Sequence, residues 1–514
     1  MRKTIFLTMW NLSIKPSGMN RSVFKQAKQF LKHGYQPVIL TMDFSFDYPQ
    51  ITRELKAFGF IPDAVPVLNV YDYYAEKFNE KSMSAAQKAY YENSITKFEE
   101  GYWVEDNGDT ARYFVNGVYT KYKRWDKNGQ LMIVDEFDDN RVRTSRREFH
   151  PDGYLARETL YHPANNKRNQ ERYFTHSGFC YLTIWYNNET DRQQSVFLFD
   201  PSYSKAMVFP SMKQLQTAWI DELVNLEAVK PIIIAEQPST VERVSNLEHD
   251  NASRIYMRHT SHVESFEPLV MEKDAAILLQ VMPKGYPIVV TTEAQRRHLE
   301  QTIGDRENVF VMPDYFESTE PDVVRDMKKF VSVSSYDAEH ATSELIEAFK
   351  LVVDKDPEAK LALYGKLTKQ RKEAMNKQIA KLQLKDAVTV HGYQLNIDEV
   401  LAGAVANVIV SESDGQSSSI GEAFANGTPV IAYNVAFGAA EAITDGENGL
   451  LVDAHNVEAL AEAMIDMLDE DKAKKMGAAA KQQAEARYTA ELYSKNWLAL
   501  LDHIEAYTPK APLI

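Results

Sequence analysis

One short loop, with the helix that follows it, carries the residues best suited to chemistry. Two carboxylates, Asp414 and Glu422, stand eight positions apart. The residues just after the first of them are small or polar: Gly415, Gln416, Ser417, Ser418 and Ser419. A helix that starts in such a loop presents unpaired N–H groups and the positive end of its dipole, an arrangement that binds phosphate. The flanking carboxylates would suit sugar and ribose hydroxyls. The loop predicts a nucleotide-sugar site, although an ordinary turn aspartate and helix glutamate would also give this pattern.

The elements around this loop can be read from apolar runs. Residues 405–410 predict a buried strand before the loop, and 429–432 predict another after the helix, which Asn426 and Gly427 close. The first 47 residues repeat the order strand, loop, helix, strand. Gly18, in the first loop, marks a phosphate or acceptor loop, or only a turn.

The segment around Glu422 resembles the donor-site signature of retaining family 4 glycosyltransferases of the GT-B fold. In that family two glutamates frame this loop. The resemblance assigns Glu422 to the ribose and Asp414, in place of a glutamate, to the transferred sugar. It also implies a UDP-sugar as donor substrate, with no other cofactor and no metal. Residues 425–432 and 445–452 also resemble the corresponding segments of the family.

Between residues 102 and 210 the helical pattern gives way to short aromatic strands. Gly129, Gly153 and Gly178 recur at spacings of 24 and 25, each at a hairpin-like turn. We therefore expect an antiparallel β-meander inserted into the first Rossmann-like domain. It resembles the insertion of wall-teichoic-acid α-glycosyltransferases and of the accessory-secretion transferases that O-glycosylate serine-rich adhesins. The latter act with a non-catalytic stabilising partner.

The predicted fold is α/β of the GT-B type, with two Rossmann-like domains facing across a cleft and the meander inserted. The expected boundaries are 1–85 and 213–320 for the first domain, 86–212 for the meander, 321–487 for the second domain and 488–514 for a C-terminal helix returning to the first domain.

Matching the chain to the family points to His259, Ser335 and His340, and Lys366 is considered beside them. His259, at the end of a predicted strand, stands where the family places a histidine against the transferred sugar; a structural histidine is the alternative. Where the family has an arginine and a lysine for the diphosphate, this chain has Ser335 and His340. Since losing one such donor typically costs about 100- to 1000-fold in rate, activity should be low. Lys366 is a candidate to supply one positive charge.

Composition limits the kinds of partner and site that this chain can be expected to have. The chain has 514 residues, a net charge of −15 and one cysteine, Cys180. The charge argues against nucleic-acid binding, and the single thiol excludes a disulfide framework and a cysteine-based metal site. We expect a cytoplasmic protein without a membrane span, with peripheral contact at the inner membrane face left open.

Two functions remain. The first is a catalytically impaired glycosyltransferase-like subunit that binds acceptor or stabilises an active paralogue, or pairs with itself, in O-glycosylation of a bacterial surface protein. The second is an active retaining α-glucosyl- or N-acetylglucosaminyltransferase that uses a UDP-sugar on wall teichoic acid or on Ser/Thr of a surface protein. The sequence favours the first, because Ser335 and His340 replace the phosphate-binding cations.

Overall fold

A computed structural model describes residues 2–78, 83–203, 205–248, 251–266, 269–273, 275–304, 307–336, 339–412 and 415–506. The chain divides into two compact units. Unit 1 comprises Met1–Ile14, Gln36–Pro231 and Glu242–Ala252, and unit 2 comprises Lys15–Tyr35, Ile232–Val241 and Ser253–Ile514.

The strands are short, as expected for α/β and meander architectures. In chain order they are β1 (Thr4–Met9), β2 (Gln36–Thr41), β3 (Val67–Asn69), β4 (Trp103–Asp106), β5 (Thr110–Val115), β6 (Val118–Trp125), β7 (Leu131–Phe137), β8 (Arg143–Phe149), β9 (Leu155–Tyr161), β10 (Arg168–Phe174), β11 (Cys180–Tyr186), β12 (Gln193–Leu198), β13 (Met207–Phe209), β14 (Ile232–Ala235), β15 (Ser253–Arg258), β16 (Val263–Phe266), β17 (Leu269–Met271), β18 (Ile288–Val290), β19 (Val309–Val311), β20 (Asp326–Val333), β21 (Lys360–Tyr364), β22 (Val388–Val390), β23 (Ala404–Ile409), β24 (Val430–Tyr433) and β25 (Gly449–Val452).

The helices fall mainly outside the meander. They are α1 (Gly18–Lys32), α2 (Tyr48–Ala57), α3 (Val70–Lys77), α4 (Ala85–Ile95), α5 (Met212–Asn225), α6 (Pro238–Ser245), α7 (Leu278–Val281) with a 3₁₀ turn at Met282–Lys284, α8 (Glu293–Ile303), α9 (Glu339–Lys355), α10 (Lys369–Lys381), α11 (Asp398–Ala402), α12 (Ser418–Ala425), α13 (Gly438–Ala442), α14 (Val457–Asp466), α15 (Glu470–Arg487) and α16 (Ala490–Ala506).

Unit 1 contains the predicted meander. Its β4 to β13 form a ten-stranded sheet in which each strand lies beside its neighbours in sequence, and the pairs are antiparallel. Gly129, Gly153 and Gly178 adopt φ of 79°, 87° and 89°, the left-handed conformation expected of hairpin glycines. The prediction of an antiparallel meander is confirmed. Unit 1 also contains the parallel strands β1, β2 and β3.

The turns of the meander are closed by their own side chains. The Asp126 and Asp138 carboxylates accept the backbone N–H two residues ahead at 2.9 Å. His150 and His162 do the same with ring Nδ1, at 3.1 and 3.3 Å. Such local bonds hold a turn without help from other elements. On one face of the sheet, a core that includes Tyr113, Trp125 and Phe149 is buried.

Unit 2 contains two groups of parallel strands. One is formed by β14, β15, β18 and β19. The other is a six-stranded sheet in the order β22-β21-β20-β23-β24-β25. Its strands are apolar runs buried between helices, as parallel sheets require, and α9 and α14 cover one face. The long helix α16 packs on α1, where the rings of Trp497 and Phe30 meet edge to face with centroids 5.5 Å apart.

Candidate active site

A cavity of about 330 Å³ opens in unit 2 at the carboxyl ends of β20 and β21. Ligands of parallel α/β sheets bind at this edge. We call the cavity the α12 pocket, because the first turn of α12 forms one wall; it is lined by Lys15, Pro16, Ser17, Gly18, Arg21, Val333, Ser334, Ser335, Tyr364, Gly365, Lys366, Tyr393, Gln394, Ile397, Ser418, Ser419 and Glu422.

The N-terminal ends of two helices face this pocket. Gly18 begins α1, and Ser418 and Ser419 begin α12. The positive ends of both helix dipoles therefore favour an anion in the pocket. A Cβ at Gly18 would approach Ser418 Oγ to 2.8 Å, so the missing side chain lets α1 and α12 come close. Ser419 Oγ donates a hydrogen bond to the Val333 carbonyl at 2.8 Å, which ties α12 to the end of β20.

Among the described lining residues, positive side chains outnumber negative ones. Lys15, Arg21 and Lys366 are cationic, and Glu422 is the one carboxylate. Two net positive charges suit a diphosphate. Of these three cations the sequence pattern indicates only Lys366, and it does not indicate Lys15 or Arg21. A basic residue in the first turn of α1 is a weak sign of an anion site, because the direction of its side chain depends on tertiary packing.

Glu422 is held by Arg21. Nη1 of Arg21 lies 3.2 Å from Oε1 of Glu422, and both side chains are 16% exposed. Nη2 of Arg21 donates to the Tyr393 hydroxyl at 3.0 Å, and this hydroxyl donates to the Pro16 carbonyl at 2.9 Å. Burial opposes the charge on Arg21, but Glu422 and Tyr393 outweigh it and raise the pKa of the guanidinium. The predicted ribose carboxylate thus lies in the pocket with its orientation fixed.

Three described residues of the predicted donor loop, Gly415, Gln416 and Ser417, are not among the described lining residues of the α12 pocket. The Gln416 N–H donates to Thr291 Oγ1 at 2.9 Å, and Gln416 Oε1 accepts the Asp314 N–H at 2.5 Å. Gly415 packs against the carbonyl of His259. Ser417 is buried at the N-cap of α12, where its side chain makes no capping bond. Asp414 lies outside the described residues.

His259 forms a buried pair with Glu236. The ring Nε2 lies 3.0 Å from Oε2 of Glu236, and the two side chains are 8% and 0% exposed. Burial raises the pKa of the Glu236 carboxyl, and the hydrogen bond from His259 partly offsets this. A carboxylate in this place fixes the orientation of the imidazole. His259 is absent from the α12 pocket lining, and it touches the donor loop through Gly415.

The two residues that replace the family's cations differ in position. Ser335 lines the α12 pocket and is exposed. His340, in the first turn of α9, is 78% exposed and its Nδ1 lies 3.1 Å from Oε1 of Glu344. Glu344 is also bound by His455 and by the Tyr433 hydroxyl. His340 is therefore directed to this cluster and is not part of the described lining of the α12 pocket.

Within the part of the chain that the structure describes, none of the helices combines the length and apolar character needed to cross a bilayer.

Comparison with known proteins agrees with this architecture. Residues 316–483 match the family described as "Glycosyl transferases group 1". The chain is 25% identical over 515 aligned residues to the poly(ribitol-phosphate) alpha-N-acetylglucosaminyltransferase of Staphylococcus aureus, covering 97% of this chain and 100% of that protein. It is 26% identical over 383 residues to the poly(glycerol-phosphate) alpha-glucosyltransferase of Bacillus subtilis, covering 73% of this chain and 56% of that protein.

Solved structures show the same fold. A mutant of S. aureus TarM, crystallised with Fondaparinux, alpha-GlcNAc-glycerol and UDP, superposes with a TM-score of 0.86 at 24% identity, covering 97% of this chain and 99% of that one. A chain of the GtfA/B complex superposes with a TM-score of 0.71 at 17% identity, covering 98% and 100%. The chain has the GT-B α/β fold with an inserted antiparallel sheet, and residues 316–483 form a domain of the glycosyl transferases group 1 family.

Proposed function

We propose that this chain is a glycosyltransferase that moves a sugar from a UDP-sugar to an alditol-phosphate polymer of the teichoic-acid class. The observation that carries the proposal is the α12 pocket, which combines two helix N-termini, three cations and Glu422. The alignment to a poly(ribitol-phosphate) transferase over 97% of the chain supports the acceptor class. UDP-sugars are cytoplasmic donors, so the proposed site of action is the cytoplasm.

In this proposal the diphosphate lies at the start of α12. The helix N–H groups of Ser418 and Ser419 and the ammonium groups of Lys15 and Lys366 neutralise it. Glu422, oriented by Arg21, accepts hydrogen bonds from the ribose hydroxyls. The bond between the sugar C1 and the β-phosphate oxygen breaks, and an acceptor hydroxyl oxygen bonds to C1 on the same face. The hydroxyl proton passes to the departing β-phosphate oxygen, and UDP is the second product.

Transfer assays with matched donors and acceptors test the proposal. UDP-glucose and UDP-N-acetylglucosamine are each offered with poly(ribitol phosphate), poly(glycerol phosphate) and a serine-rich peptide, and UDP release is measured. We expect release with one of the polymers and loss of UDP binding, measured by calorimetry, in Glu422→Gln. The exposed Glu373→Gln on α10 is the matched control and should keep wild-type binding. Absence of UDP binding by the wild-type chain would refute the proposal.

A second candidate is a non-catalytic subunit that stabilises an active paralogous glycosyltransferase. The specific observation is that Ser335 is neutral and His340 binds Glu344, so the described residues offer neither cation of the family's usual pair. The likeness in fold to a chain of the GtfA/B complex is compatible with such an assembly. Co-expression with the nearest active paralogue separates the two functions. A stable complex whose activity survives Glu422→Gln in this chain supports the subunit role, and activity of this chain alone excludes it.

A further inference from the structure

A second cavity, of about 230 Å³, lies in unit 1 where two turns of the meander meet α2 and α3. His150 and Asp152 come from the turn between β8 and β9, and His176 comes from the turn between β10 and β11. Asp72 and Glu76 face them from α3. We call this cavity the turn pocket. It lies in a different unit from the α12 pocket, and the proposed glycosyl transfer uses none of its residues.

Three side chains of the turn pocket converge on one point. A ring nitrogen of His150, a ring nitrogen of His176 and a carboxylate oxygen of Asp152 all lie within 4.8 Å of one another. Ligand atoms around a tetrahedral Zn²⁺ at about 2.0–2.2 Å bond length are about 3.3–3.6 Å apart. Side-chain movements of about 1 Å would therefore bring one cation into contact with all three.

Nδ1 of His150 and the Asp152 carboxylate already have the spacing of two ligands of one ion. Nδ1 accepts the Asp152 N–H at 3.1 Å and lies 3.3 Å from Oδ2 of the same residue. This separation matches the distance of about 3.3–3.6 Å between two ligand atoms of a tetrahedral zinc ion. Metal binding through Nδ1 would replace the hydrogen bond from the Asp152 N–H.

Negative side chains outnumber positive ones among the described residues that line the turn pocket. Its described lining residues include three carboxylates, from Asp72, Glu76 and Asp152, and one fixed positive charge, from Arg53. Among the residues that the structure describes, no hydrogen bond or ion pair is made by the partly buried carboxylate of Asp72, although it faces the pocket. A carboxylate removed from water without a partner is costly, and a cation in the pocket would remove this cost.

We propose that the turn pocket binds one divalent cation of the zinc class, with His150, His176 and Asp152 as ligands and the nearby Asp72 carboxylate as a supporting negative charge. Imidazole nitrogen favours Zn²⁺ and its neighbours over Mg²⁺ and Ca²⁺, which prefer an all-oxygen shell. The ion would join the turn between β8 and β9 to the turn between β10 and β11, beside α3.

Calorimetric titration of the metal-free full-length chain with ZnCl2 tests this proposal, with MgCl2 as the comparison ion. We expect one zinc per chain, no magnesium binding at the same concentrations, and a higher melting temperature with zinc. His176→Ala and the isosteric Asp72→Asn should each weaken zinc binding at least about tenfold, as loss of a ligand or its supporting group usually does.

His162→Ala is the matched control. His162 closes the next turn through Nδ1 as His150 does, but it does not line the turn pocket. This variant should keep wild-type zinc affinity. Zinc binding that is equal in the wild type, His176→Ala and Asp72→Asn is adventitious and overturns the proposal, as does absence of a one-to-one zinc complex. Asp72→Asn keeps the size of the side chain, so its result stands even if His176→Ala folds poorly.

Discussion

Replacing Arg21 by methionine should loosen the contact between α1 and α12. The guanidinium and the Glu422 carboxylate are 3.2 Å apart, and both side chains are 16% exposed. Their Coulomb energy is about 5 kcal/mol at an effective dielectric constant of about 20, and desolvation offsets most of it. Exposed pairs contribute about 0–1 kcal/mol, and removing one partner of a buried pair costs about 3–5 kcal/mol. For this intermediate exposure we expect a loss of about 2 kcal/mol.

Hydrogen exchange is the suitable assay, because a chain with two units does not unfold in one step. Exchange of peptides from α1 and α12 gives the free energy of local opening for each variant. Lys28→Met, at an exposed position of α1, is the control and should change the free energy of local opening by less than about 0.5 kcal/mol.

The double variant tests the cause of this loss. Glu422→Gln removes the carboxylate that Arg21→Met would leave unpaired. Arg21→Met with Glu422→Gln should therefore lose about 1 kcal/mol less than the sum of the single losses. Strictly additive losses, or a loss in Arg21→Met no greater than in Lys28→Met, would refute the importance of this ion pair.

Three further predictions concern the site residues. Lys366→Met should weaken UDP binding about tenfold in calorimetry, since one ammonium–phosphate contact is lost; Lys369→Met, at a position 92% exposed, should not. Burial raises the pKa of Glu236, so the native chain holds the Glu236 proton more tightly than the unfolded chain does. The free energy of unfolding should therefore fall as the pH rises from about 4.3, the usual pKa of glutamate, through the pKa of Glu236 in the native chain. Glu236→Gln lacks this penalty, so its melting temperature should gain on the wild type as the pH rises above about 4.3, and a constant difference would contradict the assignment. Gly415→Ala should lower the free energy of local opening of α12 by about 1–3 kcal/mol in hydrogen exchange, because the new methyl meets the immobile His259 carbonyl. Gly18→Ala, which meets the movable Ser418 hydroxyl, should cost less.

Local patterns in the sequence were sufficient to predict the meander and the start of α12. Gly129 and its counterparts need positive φ at a turn, and this requirement is visible in the residue type alone. The apolar run before Gly415 and the small residues after it likewise determine a strand, a loop and a helix by local rules.

The electrostatics of the site could not be predicted in the same way. Arg21 and Glu422 are 401 positions apart, and no periodicity links them. The family match drew attention to Ser335 and His340, and so suggested a site without fixed cations. The structure supplies Lys15 and Arg21 from a segment that the pattern had marked only by Gly18. Which distant side chains share a pocket depends on how the helices pack, and this information is not local.

Turns that are closed by their own side chains allow the number of strands in the meander to change during evolution. Each strand from β4 to β13 lies only beside its neighbours in sequence, and side chains such as Asp126 and Asp138 close the turns locally. Insertion or deletion of one complete hairpin would leave every other strand register unchanged. The inserted sheet can therefore gain or lose strands in pairs without a shift in the register of the remaining strands. We expect its length to vary among related proteins.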